Sequence, residues 1–173
     1  MAKSTAEALI QDERTVLHIL ERHAKESVDQ IAKHCGFSRQ KVWRIIKRLE
    51  KDKVIWGYTT LTDEKIRNLK HFVLIVKRTI LPLDDAKRRE VYAEQLDMYF
   101  PNVNVENIYF THGSYDMVIT FYAPDLITAK KFLSVVSEKN RRYIQDFDLL
   151  ETLFPVRKQG LKNPQIEQLA ELI

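Results

Sequence analysis

Ser27-Val28-Asp29-Gln30-Ile31-Ala32-Lys33-His34-Cys35-Gly36-Phe37-Ser38-Arg39-Gln40-Lys41-Val42-Trp43-Arg44-Ile45-Ile46-Lys47-Arg48-Leu49-Glu50-Lys51-Asp52-Lys53 spells two helices joined by a tight turn. Ser27 with Gln30 three residues on is a capping box, and it opens a short helix over Ile31 and Ala32. Cys35-Gly36-Phe37 ends that helix, because Gly36 can take the left-handed backbone an inter-helix turn needs. Ser38 then caps a second helix. Val42, Ile45, Ile46 and Leu49 have the spacing of one buried helical stripe. The opposite face carries Gln40, Trp43, Arg44, Lys47 and Lys51.

Between residues 33 and 53 stand eight basic residues (Lys33, Arg39, Lys41, Arg44, Lys47, Arg48, Lys51, Lys53) and two acidic ones (Glu50, Asp52), a local net charge of +6. The whole chain carries only +4. The positive charge is concentrated where a polyanion would dock. A charge run on an amphipathic helix is often just a solvated face. The glycine turn, the net charge of the second helix and the exposed Gln and Trp favour DNA instead. In such a docking, Gln40 and Arg44 suit bidentate contacts to adenine and guanine edges. Ser38 and Arg39, at the helix start, suit backbone phosphates together with Lys47 and Arg48. The predicted DNA-binding set is therefore Ser38, Arg39, Gln40, Trp43, Arg44, Lys47 and Arg48.

The 173 residues suffice for two small domains, and 45% hydrophobic with 30% charged residues is the balance of a globular protein. No apolar run approaches membrane-spanning length, and the first residues lack the apolar core of a signal peptide. The lone cysteine, Cys35, excludes an internal disulfide framework and suits a reducing compartment. A cytoplasmic location without membrane contact is the expectation.

Residues 1–62 predict a winged helix-turn-helix. A first helix over about 12–24 turns Val16, Ile19 and Leu20 inward. After the basic helix, 54–61 is rich in β-branched and aromatic residues and predicts the strand of the wing. The polar stretch 63–70 predicts a hinge. Residues 71–158 follow as strand (71–77), helix (84–100, stopped by Pro101), strand (103–111), turn, strand (117–122), helix capped by Asp125, and strand (144–156). This βαββαβ order predicts an α+β, ferredoxin-like domain with two helices on one face of a sheet. The other face predicts a partner, and a second copy of the chain is the obvious one. Residues 159–173 predict a helical tail, with Ile166, Leu169 and Leu172 at helical spacing.

This order of elements resembles the Lrp/AsnC (feast/famine) family of transcription regulators over roughly residues 10–157. Ser38-(x3)-Val42-(x2)-Ile45-(x2)-Arg48-Leu49-Glu50-(x3)-Val54-Ile55-x-Gly57-Tyr58 is similar to the family's recognition-helix-to-strand signature. Gly113-Ser114-Tyr115-Asp116 is similar to its Gly-x-Tyr-Asp turn. The resemblance implies a sequence-specific regulator of double-stranded promoter DNA with palindromic sites. It implies a homodimer formed through the C-terminal domain, with tetramers or octamers above it. It also implies a small-molecule effector, frequently an amino acid, near the Gly-x-Tyr-Asp turn. The effector residues so expected are Thr111, His112, Gly113, Ser114, Tyr115 and Asp116, with Gly113 admitting a carboxylate to backbone amides and Asp116 receiving an ammonium. The plainer reading leaves Gly113 as a hairpin turn and Asp116 as its cap. The chain departs from the family in lacking a hinge glycine before the first strand, in a longer 84–100 helix, and in its C-terminal addition.

Catalytic chemistry is not legible in the sequence. The five histidines (His18, His23, His34, His71, His112) show no paired spacing for a metal. No phosphate loop or nucleophile elbow occurs. The expectation is no enzyme, no metal and no cofactor. A tetrapyrrole (sirohaem-type) decarboxylase of the same architecture is the alternative, but it has no use for a concentrated basic helix. A third reading is an interaction module whose basic helix meets RNA or an acidic protein.

Overall fold

A computed structural model of the chain describes residues 2–93 and 100–172. It divides into two compact units, Met1–Leu61 and Thr62–Ile173.

In the first unit three helices follow one another: α1 (Ala2–His23), α2 (Val28–Cys35) and α3 (Arg39–Lys51). Val16, Leu20, Ile31, Ala32, Val42, Ile45, Ile46 and Leu49 form one buried cluster. Val16 and Leu20 point inward as their spacing predicts, and Ile19 packs at the edge. Helix α1 starts ten residues before the predicted position 12. Ala, Glu and Leu are strong helix formers, and their propensity extends the helix toward the N-terminus. Leu9 and Ile10 on that extension are accordingly exposed.

The predicted wing strand does not form a ladder. Val54 and Ile55 both donate their backbone N–H to the Leu49 carbonyl, and residues 56–61 carry no regular structure. A strand is stabilised by hydrogen bonds to a neighbour, and among the described residues this segment has none. It leaves Trp56 95% exposed.

The second unit is built on a four-stranded antiparallel sheet in the order β2-β3-β1-β4, from β1 (Lys70–Arg78), β2 (Asn104–Phe110), β3 (Met117–Ala123) and β4 (Ile144–Glu151). Helices α4 (Asp85–Ala93) and α5 (Leu126–Lys139) connect them in βαββαβ order. Strand β1 is central, and its burial alternates. Phe72, Leu74 and Val76 are buried against Ile119 and Phe121 of β3 and against Ala129, Phe132 and Val136 of α5. Phe121 lies between Phe72 and Phe132, with ring centroids 5.5 and 4.8 Å away. The opposite face holds Val73, Ile75, Val118, Tyr109 and Leu150 in register; the first three are half-buried, and Tyr109 and Leu150 exposed.

Several boundaries differ from the sequence reading. The helix predicted over 84–100 is described to Ala93; 94–99 lie outside the described residues, and Phe100 is already in a bridge with Val103. Strand β4 ends at Glu151, short of the predicted 156. The stretch 63–70 contains a 3₁₀ turn, Glu64–Arg67, capped by Asp63, and Lys70 opens β1. Lys158 holds this turn through Glu64, and Lys65 donates to Gln168 at 3.0 Å. The tail is not a continuous helix. β5 (Arg157–Lys158) and β6 (Leu161–Lys162) form a hairpin whose turn, Gln159-Gly160, has positive φ at both residues (47° and 81°). That is the backbone a two-residue hairpin turn demands. Pro164 then interrupts any helix from 161, and only a 3₁₀ segment, Ile166–Glu171, remains.

Candidate nucleic-acid interface

The local chemistry of residues 27–38 sets the turn between α2 and α3. Ser27 and Gln30 form the full reciprocal capping box: the Ser27 side chain accepts from the Gln30 N–H, and Gln30 accepts the Ser27 backbone N–H at 2.9 Å. Gly36 ends α2 in the left-handed region (φ 67°, ψ 28°), and its N–H donates to the Ala32 and Lys33 carbonyls. Phe37 N–H also reaches the Ala32 carbonyl at 3.0 Å. Ser38 caps α3 by accepting the Lys41 N–H at 3.3 Å.

Burying Val42, Ile45, Ile46 and Leu49 turns the opposite face of α3 outward. Arg39, Gln40, Trp43, Arg44 and Lys47 are exposed on it, Trp43 to 53%. Gln40 and Arg44 have no side-chain hydrogen bond or ion pair among the described residues, so their donors remain available. Arg39 makes an exposed pair with Asp29 at 3.2 Å. Lys47 bonds Glu50 at 2.9 Å, and this bond with the lysine charge lowers the Glu50 carboxyl. Tyr58 donates to the other Glu50 oxygen at 3.2 Å.

Two cations of the helix turn back to α1. Lys41 pairs with Asp12 at 2.8 Å and lies over the Phe37 ring at 3.8 Å. Arg48 pairs with Glu13 at 2.7 Å, and its Nε is buried without a partner. Of the predicted contact set, Arg48 is thus held against α1 while Ser38, Arg39, Gln40, Trp43, Arg44 and Lys47 share one exposed surface. The sequence spacing could not separate Arg44 from Arg48, because the partners of Arg48 come from another helix.

The predicted effector residues sit at the β2–β3 connection. The Thr111 N–H donates to the Asp116 carbonyl at 2.9 Å and the Thr111 hydroxyl to the Tyr115 carbonyl at 2.7 Å. Asp116 is bound on both sides: its N–H donates to the Val76 carbonyl, and its carboxylate accepts the Arg78 N–H at 2.8 Å. Tyr115 donates to Asp148 at 3.1 Å, which raises its phenol above the ordinary range. His112, Gly113 and Ser114 are exposed. The six residues form one turn at the surface of the unit, with 111–115 exposed and Asp116 half-buried.

Two of the histidines meet where α1 turns into α2. The α1–α2 turn stacks His23 on His34, with ring centroids 4.8 Å apart, and Glu26 bonds both. Sequence separation hid this pair; helix packing made it.

The chain is similar to several known proteins. The Homeodomain-like domain family matches residues 11–54. An HTH-type transcriptional regulator of Bacillus subtilis, YugG, is 26% identical over 127 residues, 73% of this chain and 74% of that protein. The crystal structure of an AsnC family transcriptional regulator from Agrobacterium tumefaciens is 26% identical, with TM-score 0.65, covering 85% of this chain and 92% of that one. A transcriptional regulator of Neisseria meningitidis solved with L-Met shares the fold at 18% identity and TM-score 0.64, covering 85% and 91%. Nothing in these matches favours the tetrapyrrole decarboxylase.

Proposed function

We propose that this chain, a DNA-binding transcriptional regulator of the Lrp/AsnC family, reads a palindromic promoter site as a homodimer tuned by an amino acid. The observation that carries the reading is the split of α3 into a fully buried stripe and a free face bearing Gln40, Trp43 and Arg44. A recognition helix needs both, since the stripe fixes its orientation and the face meets base edges. Gln40 and Arg44 read bases in this scheme; Ser38, Arg39 and Lys47 hold phosphates. Arg48 serves the helix packing rather than the DNA.

Dimerisation is supported by surfaces one chain leaves uncovered. The segment 54–61 has strand composition without a strand partner, and the second sheet face exposes Tyr109 and Leu150 beside Val73 and Ile75. A second copy covers both. Two-fold symmetry then places the half-sites a helical turn, or a multiple of it, apart.

The effector reading rests on the surface position of the 111–116 turn and on the regulator solved with L-Met. The free groups of His112 and Ser114 and the Gly113 amide contact the ligand. A neighbouring subunit supplies the opposite wall. Asp116 shapes the turn, because its carboxylate already accepts the Arg78 N–H. A ligand regulates only if it favours one assembly over another. The deciding experiment is a mobility-shift assay on the chain's own promoter region with and without each amino acid. Retarded promoter DNA that survives excess non-specific duplex is the expected result.

A further inference from the structure

The pairing of the end of α1 with the end of α2 carries chemistry that DNA binding does not use. His23 Nδ1 lies 2.8 Å from Glu26 Oε1, and His34 Nε2 lies 2.8 Å from Glu26 Oε2. The three ligand atoms all fall within 4.8 Å of one another. Four ligands about 2.0–2.2 Å from a tetrahedral ion stand about 3.4 Å apart, so small side-chain rotations bring this set to coordination distance. The backbone is already closed here by the Glu26 N–H to His23 carbonyl bond of 2.9 Å.

We propose that His23, Glu26 and His34 bind a transition-metal dication of the zinc class, which staples the end of α1 to the end of α2. Two imidazoles and one carboxylate select zinc, nickel or copper over magnesium and calcium, which prefer all-oxygen sets. Each neutral imidazole moves its proton to the far ring nitrogen, and the lone pair now facing Glu26 becomes a metal donor. The side chains remain 39%, 28% and 44% exposed, which leaves the fourth position to water. The ion thereby cross-links α1 to α2, just before the Gly36 turn that leads into α3. A binder of the native state raises its stability by mass action.

The test titrates the full-length protein with Co²⁺, followed by visible absorption, and with Zn²⁺, followed by thermal melting. One ion per chain, the intense bands of four-coordinate cobalt and a higher melting temperature with zinc are expected. His34→Ala and His23→Ala should each weaken binding more than about tenfold, the loss that follows even from removing an outer partner of a ligand. His18→Ala and Cys35→Ser should leave it unchanged, and circular dichroism of every variant checks its fold. Absence of saturable uptake overturns the proposal, as does uptake that survives both folded histidine variants. Loss of binding on Cys35→Ser, with a sulfur-to-cobalt charge-transfer band in the wild type, also overturns it in favour of a thiolate site.

Discussion

The Asp116 carboxylate accepts the backbone N–H of Arg78 at 2.8 Å, so a side chain of the β2–β3 turn closes the end of the central strand β1. A hydrogen bond to a charged acceptor at a strand end contributes about 1.5–3 kcal/mol. Asp116→Ala should therefore lower unfolding free energy by up to that amount in urea titrations, while Asp116→Asn, which keeps an acceptor oxygen, should lose far less. If amino-acid binding disappears in the Asn variant while its stability holds, the carboxylate receives the ligand's ammonium after all.

The cations of α3 should separate in function. Arg44→Ala is expected to cost about 1–3 kcal/mol of DNA affinity and to blur the preferred base at one position. Lys47→Ala should weaken all sequences alike and make binding less salt-sensitive. Arg48→Ala should act mainly on folding, since Arg48 is tied to Glu13 at 2.7 Å. Fluorescence anisotropy at two salt concentrations, on cognate and scrambled duplexes, distinguishes the three; an Arg48 variant that melts normally yet loses the cognate duplex would reverse the assignment.

Trp56 gives a direct reading of assembly. In one chain it is almost fully exposed. A dimer that pairs the 54–61 segments should shift its emission to the blue as protein concentration rises, and Trp56→Ala should raise the dimer dissociation constant. Sedimentation that shows a monomer at micromolar concentration contradicts the homodimer.

Stability should also fall in alkali. Burial first, and then the hydrogen bond to Glu106 at 2.9 Å, push the Tyr122 phenol far above its ordinary value of 10.0. The folded state thus holds this proton more tightly than the unfolded chain does. The stabilisation is complete below about pH 10 and is lost as pH rises beyond it toward the folded-state value. Denaturant midpoints at pH 8 and pH 11 should show a steeper decline in wild type than in Tyr122→Phe. Parallel declines would mean that other tyrosines carry the effect.

Much of this molecule is local, and what is local was legible. The Ser27–Gln30 box, the Gly36 turn, the Ser38 cap and the Val42-to-Leu49 stripe depend on neighbours within a few residues, and each forms where its spacing predicts. The alternation of Phe72, Leu74 and Val76 likewise needs only the two-residue period of a strand. The tail was misread because helical spacing at Ile166, Leu169 and Leu172 outweighed the punctuation of Gly160 and Pro164. The 54–61 segment shows the limit of composition, which favours a strand but cannot supply a partner strand within one chain.

The sequence by itself determined where helices cap, which faces are apolar and where positive charge gathers, since these follow from short-range hydrogen bonding and periodicity. Only tertiary structure decided which charges are free. It ties Arg48 to Glu13, leaves Arg44 unpaired among the described residues, commits Asp116 to the backbone of another strand, and brings His23 and His34 around Glu26. Each of those outcomes depends on a group placed by a different element, and its distance is set by packing rather than by separation along the chain.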